Sequence, residues 1–119
     1  MWGHMESRED RRTLSMIEEV IRRGDQLNEK MMYRFALAIA EALNSGASKA
    51  LMYRLLRHSG RVPKIVGLRA LEHLQAFDAA GFIPEIRSLL IDADWRVAQA
   101  ANHCKEDGTY AGWWELDCA

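Results

Sequence analysis

Residues 89–108 read LLIDADWRVAQAANHCKEDG, and the fold depends on whether this stretch is a chemical site or a turn between two helices. Taken singly, its residues suggest chemistry: Asp92 and Asp94 for a cation, and His103 beside Cys104 for a nucleophile with its base. Spacing argues otherwise. An aspartate just ahead of a helix accepts the unpaired N–H groups of the first turn and suits the positive end of the helix dipole. A hard cation needs more oxygen ligands than two local acids supply. Neighbours on a helix point about 100° apart, so His103 and Cys104 do not face each other as a base and its nucleophile must. Cys104 shares a face with Val97, Ala100 and Ala101, where cysteine acts as a small hydrophobe. His103 and Asp107 stand four apart, at the spacing of a surface pair. The stretch predicts the end of one helix, a capped turn and the start of the next.

Outward from it, the same logic holds. Gly24, Gly46, Gly60, Gly81 and Gly108 each follow a run of helix formers, and glycine ends helices by taking the left-handed conformation. Pro63 and Pro84 follow glycine breaks and fit the first turn of new helices. Between the breaks, apolar residues recur with helical period: Leu14, Ile17, Val20 and Ile21, then Met32, Phe35, Ala36, Ile39, Ala40 and Leu43. The pattern predicts six helices at about 8–23, 27–44, 48–58, 62–79, 82–91 and 95–105, with no strands. They group into three pairs. Ile17/Val20/Ile21, Met52/Leu55/Leu56 and Ile86/Leu89/Leu90 recur after 35 and then 34 residues. In the partner helices, Ala40, Leu71 and Ala101 recur after 31 and then 30. A period of this size made of helix pairs marks an α-solenoid, in which stacked pairs bury what one pair cannot.

Residues 82–101, FIPEIRSLLIDADWRVAQAA, resemble a HEAT repeat of the variant also found in phycobilisome-lyase-type proteins. The resemblance rests on Pro84 and Ile86, Leu89-Leu90, the turn residues Asp92 and Asp94, then Val97 and the small pair Ala100/Ala101. VPKIVGLRALEHL (62–74) is similar to the second helix of a preceding repeat, while the pair at 8–44 matches by period alone. In one respect the chain departs from the family, where an arginine usually follows the valine and pairs with the turn aspartates. Ala98 holds that place here, and Arg96 precedes Val97. The resemblance implies an all-α, short right-handed solenoid of about three helix pairs, a concave face lined by the second helices, and a binding scaffold rather than a catalyst.

The 119 residues suit one domain and one modest core, with 49% hydrophobic and 28% charged residues. Residues 5–108 form the expected repeat domain, 109–119 an aromatic tail, and 1–4 a remnant of cloning ahead of Met5. No run reaches the roughly 18 apolar residues of a membrane span, and the charged ESREDRR (6–12) carries no signal-peptide core. A cytoplasmic protein is expected, with Cys104 and Cys118 as reduced thiols. No zinc spacing, phosphate loop or nucleophile elbow is present in the sequence, so no cofactor, metal or catalytic residue is assigned.

Charge is uneven. Residues 42–71 hold six Lys/Arg and no acid, while 72–119 hold three Lys/Arg and nine Asp/Glu. Lys49, Arg54, Arg57, His58, Arg61, Lys64 and Arg69 form a basic stretch that is either a solvated face or a contact for an anionic partner. The partner-binding candidates are Arg54, Arg57, Arg61, Lys64, Arg69 and Trp95. Trp95 either packs over its own turn or anchors an interface. Tyr110, Trp113, Trp114 and Leu116 either cap the last repeat or form an oligomer or partner contact. The leading expectation is a protein–protein interaction module, an adaptor or small inhibitor whose partner has an acidic surface. A homo-oligomer joining the basic 42–71 and acidic 72–119 regions of two copies is the corresponding self-contact. The alternatives are nucleic-acid binding through residues 49–69, as in HEAT-like DNA-repair glycosylases, and a protein of the bilin-lyase type.

Overall fold

The computed structural model describes residues 7–107. Helix α1 (Arg8–Arg23) opens on Ser7, whose hydroxyl accepts the Asp10 N–H at 3.0 Å. Glu9 and Asp10 in its first turn and Arg22 and Arg23 in its last complement the helix dipole. Gly24, at φ +48°, turns the chain into a short 3-10 segment (Gly24–Gln26). Helix α2 (Glu29–Asn44) opens on Asn28, whose side-chain oxygen accepts the Met31 N–H at 2.9 Å. After Gly46, at φ +118°, a 3-10 segment (Lys49–Met52) runs into the one-turn α3 (Tyr53–Leu56). Then come α4 (Arg61–Leu71), α5 (Ala76–Ala80), α6 (Ile83–Leu89) and α7 (Trp95–Asp107). Among the described residues there is no strand, and no helix is long and apolar enough to cross a membrane.

Pro63 and Pro84 both fall in first turns, of α4 and α6, as their missing N–H groups favour. Three expectations need correction. The single helix expected over 48–58 forms as the 3-10 segment followed by one α turn. Gly60 and Gly81 mark boundaries without left-handed backbone, at φ −81° and −66°; only Gly24 and Gly46 take positive φ among the described residues. The helix expected over 62–79 ends at Leu71. The reason lies 29 residues back, in Asn44 at the end of α2. Its side-chain N–H donates to the His73 carbonyl at 3.0 Å, and its side-chain oxygen accepts the Gln75 N–H at 3.3 Å. Those two groups lie in the break between α4 and α5, so a tertiary contact takes the place of a helical one.

Helix α4 is central. It contacts α2 and α7, and also packs on α3 and α1, while α1 meets α2 and α6 meets α7. Eight of its eleven residues are buried. The core that results is continuous, running through Ile17, Ile39, Leu43, Leu55, Leu68, Leu71, Ile86 and Val97, all inaccessible to water. Cys104 is buried with Val97 and Ala101, as a small apolar residue would be. Gly67 lets α4 come close to α3. A Cβ there would stand 2.9 Å from Leu56 Cδ2 and 3.1 Å from Leu55 Cβ.

Two outcomes follow for urea denaturation. Asn44→Ala is expected to cost about 1–2 kcal/mol for its two hydrogen bonds, with an unchanged denaturant slope. Gly67→Ala is expected to lower stability, although alanine is favoured over glycine in helices by about 1 kcal/mol, because overpacking costs about 1–3 kcal/mol. A stabilised Gly67→Ala chain would show that α3 yields without cost.

Candidate functional site

The cations of 49–69 are fixed first by where their helices can release them. Because α4 is mostly buried, Arg61, Lys64 and Arg69 emerge at its margins and meet carboxylates from both flanking segments. Arg61 lies 3.0 Å from Asp25 and 3.6 Å from Asp94, and Arg69 lies 2.8 Å from Glu29. Lys64 donates to Asp92 at 2.7 Å. The pattern extends beyond α4. Arg57 grips Glu85 with two hydrogen bonds, at 2.8 and 3.3 Å, and lies over the Tyr53 ring at 4.1 Å. Lys49 reaches Asp78 at 3.6 Å and also donates to the Leu43 carbonyl, and Arg54 reaches Glu18 at 4.0 Å. All six Lys/Arg of 42–71 are therefore answered by acids within the chain.

The turn quoted at the outset is capped as its sequence predicts. Asp92 Oδ1 accepts the Asp94 N–H at 2.8 Å, and Asp94 Oδ1 accepts the Arg96 N–H at 2.9 Å. The Lys64 ammonium, then the Asp94 amide, hold the Asp92 carboxyl below its ordinary pKa. His103 does not face Cys104; its Nδ1 sits 3.2 Å from Glu72.

One surface feature crosses three helices. A groove of about 510 Å³ is walled by Glu29 and Tyr33 of α2, Ile65 and Arg69 of α4, and Gln99, Ala100 and His103 of α7. Arg61, Trp95 and Arg96 stand where α4 and α7 begin, and Glu72 and His73 lie where α4 ends. Trp95 is 67% exposed and Tyr33 48% exposed. Trp95 therefore stands out from its turn, with the Arg96 guanidinium 5.8 Å from its ring centroid. Tyr33 meets the His73 ring edge-on at 6.0 Å. Such rings, held at the rim of a groove, resemble interface anchors.

Of the residues expected to bind a partner, Arg61, Arg69 and Trp95 come together on this groove. Arg54, Arg57 and Lys64 are not part of its wall and are engaged elsewhere. Sequence reasoning missed Tyr33, His73 and the acids Asp25, Glu29 and Glu85. A signal for the acids was present. Arg57–Glu85 and Lys64–Asp92 are 28 residues apart, and Arg54–Glu18 and Arg61–Asp25 are 36 apart, close to the apolar period. The aromatic residues of the tail, Tyr110, Trp113 and Trp114, lie outside the described residues. No family model, no curated protein and no solved structure matches this chain.

The Lys64–Asp92 pair, whose side chains are 17% and 14% exposed, gives a sharp test. Lys64→Met is expected to cost about 1–3 kcal/mol at neutral pH, the worth of a hydrogen bond to a charged group. Asp92 has a lowered pKa when folded, so its contribution is complete above the unfolded value of about 3.9 and disappears as pH falls through the folded value. Urea denaturation across that acid range is expected to show a shallower loss for Asp92→Asn than for the unchanged chain. Parallel acid limbs would contradict the assignment.

Proposed function

We propose that the chain is a macromolecular binding scaffold, a protein–protein interaction module acting as an adaptor or small inhibitor. Its architecture is read as a short right-handed α-solenoid of about three HEAT-like helix pairs, α1/α2, α3/α4 and α6/α7. The order of contacts supports this reading, since α2, α4 and α7 pack in series and each has its preceding partner beside it. In such a stack those second helices line the face that partners use. The observation that carries the function is the groove on that face, with Trp95 and Tyr33 exposed at its wall. Tryptophan and tyrosine anchors in a groove between helices are the usual basis of protein recognition.

The ionic frame favours a protein over a nucleic acid as partner. Affinity for a phosphate backbone comes from cations that release its counterions. Here all six cations of the basic stretch are held by carboxylates. The reading assigns the chain no catalysis and places it in the cytoplasm.

The test compares the chain with its Tyr33→Ala/Trp95→Ala variant in affinity capture from the source cells, with circular dichroism to check folding. Proteins held by the chain are expected to be lost by the variant, and duplex DNA titrated at about 50 and 200 mM salt is expected not to bind. An unchanged captured set would sink the groove as the docking face. DNA binding with a steep salt slope would transfer the function to nucleic acid.

A further inference from the structure

A second groove, of about 340 Å³, follows the seam between α1 and α2. Met16 and Arg23 of α1 line one side of it, and Met31, Arg34, Phe35 and Ala38 of α2 line the other. Helix α2 thus walls both grooves, with Tyr33 in the first and Phe35 in this one. The apolar floor is a by-product of the core. Ile17 and Val20 of α1, and Met32, Ala36 and Ile39 of α2, are spent on the interior. Met16, Met31, Phe35 and Ala38 stand beside those stripes and are left half-buried. Each wall runs two turns, since Met16 to Arg23 and Met31 to Ala38 both span seven positions, about 10 Å of helix. A floor of that length between two helices fits a third helix whose anchors recur at i, i+3 or i+4, and i+7. Methionine side chains adapt to such an occupant.

The lips of the groove are cationic. Arg34 is exposed and makes no ion pair or hydrogen bond among the described residues, and neither does Lys30, one turn earlier on α2. Across the seam, Arg23 stands 3.7 Å from a Glu19 oxygen that Arg22 also holds, so one carboxylate answers two guanidinium groups. The first groove has Glu29 and Glu72 in its wall; this one has no acid in its wall among the described residues. A second copy seated face to face would bring Arg23 and Arg34 against the same cations, because a two-fold contact pairs one patch with itself. A helix with carboxylates beside its apolar stripe meets both the floor and the lips.

We propose that the α1–α2 seam is a further docking surface, and that it takes an acidic amphipathic helix of a protein partner. It does not depend on the groove of α2, α4 and α7. With one groove on each side of α2, the chain has the means to hold two partners at once, as an adaptor does.

Methionine methyl NMR of the full chain tests this, with Met16 and Met31 as reporters in the groove and the inaccessible Met52 as a control. The probe is a peptide of about 16 residues, long enough to be helical in water, with leucine at i, i+4 and i+7 and glutamate beside them. A matched peptide carries lysine in place of glutamate. The glutamate peptide is expected to shift the Met16 and Met31 methyl signals in a saturable way and to leave Met52 in place. The lysine peptide is expected to bind severalfold more weakly. Arg34→Glu, with folding checked by circular dichroism, is expected to reverse that order. No shift with either peptide overturns the proposal. So does an equal response to both, which would reduce the groove to apolar adhesion. Shifts that grow with chain concentration alone would place a second copy there, and shifts with phosphatidylglycerol vesicles but not with peptide would place a lipid surface there; either outcome overturns it. If the glutamate peptide moves only the signals of Tyr33 and Trp95, the seam fails as a docking surface while the first groove stands.

Discussion

Burial of α4 is the constraint from which the rest of the arrangement follows. With eight of its eleven residues inside, the helix has almost no solvent face on which to carry charge. Arg61, Lys64 and Arg69 must leave at its edges, and each edge meets a neighbouring segment. Acids at those edges convert a desolvation problem into a set of oriented contacts. The pairs with the exposed Asp25 and Glu29 contribute little each, whereas Lys64–Asp92 is mostly shielded from water. Their joint effect is directional: they hold the α1–α2 and α6–α7 segments in one register against the middle of the chain.

Helices α1, α2 and α7 were legible because their stripes are long and their ends carry local signals. Ser7, Asn28 and Asp94 cap within two or three residues of themselves, so the sequence around them is sufficient. The end of α4 was not legible, since its apolar period runs on through Leu74 and Phe77. The chain breaks there because Asn44 takes the backbone groups of His73 and Gln75, a contact that no window along the sequence contains. The segment 48–58 was read as one helix and forms as a 3-10 turn followed by a single α turn. Gly67 carried no visible signal, as its role is the space it leaves for Leu55 and Leu56.

The site was half legible. Basic residues were read as a surface seeking a partner, and their partners were already in the chain at distances of 28 to 40 residues. Composition shows an excess of one sign but not the direction in which each side chain leaves its helix. Trp95 was singled out from its place at a helix start, and its ring is largely exposed rather than packed over its own turn. Tyr33 was hidden because it sits in the apolar-rich α2, one turn from the buried Ala36 and next to the buried Met32. Only packing separates it from them.

The ionic frame also makes the three segments non-interchangeable. Residues 42–71 carry cations alone, and those on either side supply the carboxylates. A tandem copy of the middle segment set beside itself would oppose cation to cation where Arg57 now meets Glu85 and Lys64 meets Asp92. A duplicated middle segment is thus disfavoured as its own neighbour, and the ordering of signs along the chain fixes which segment can lie beside which.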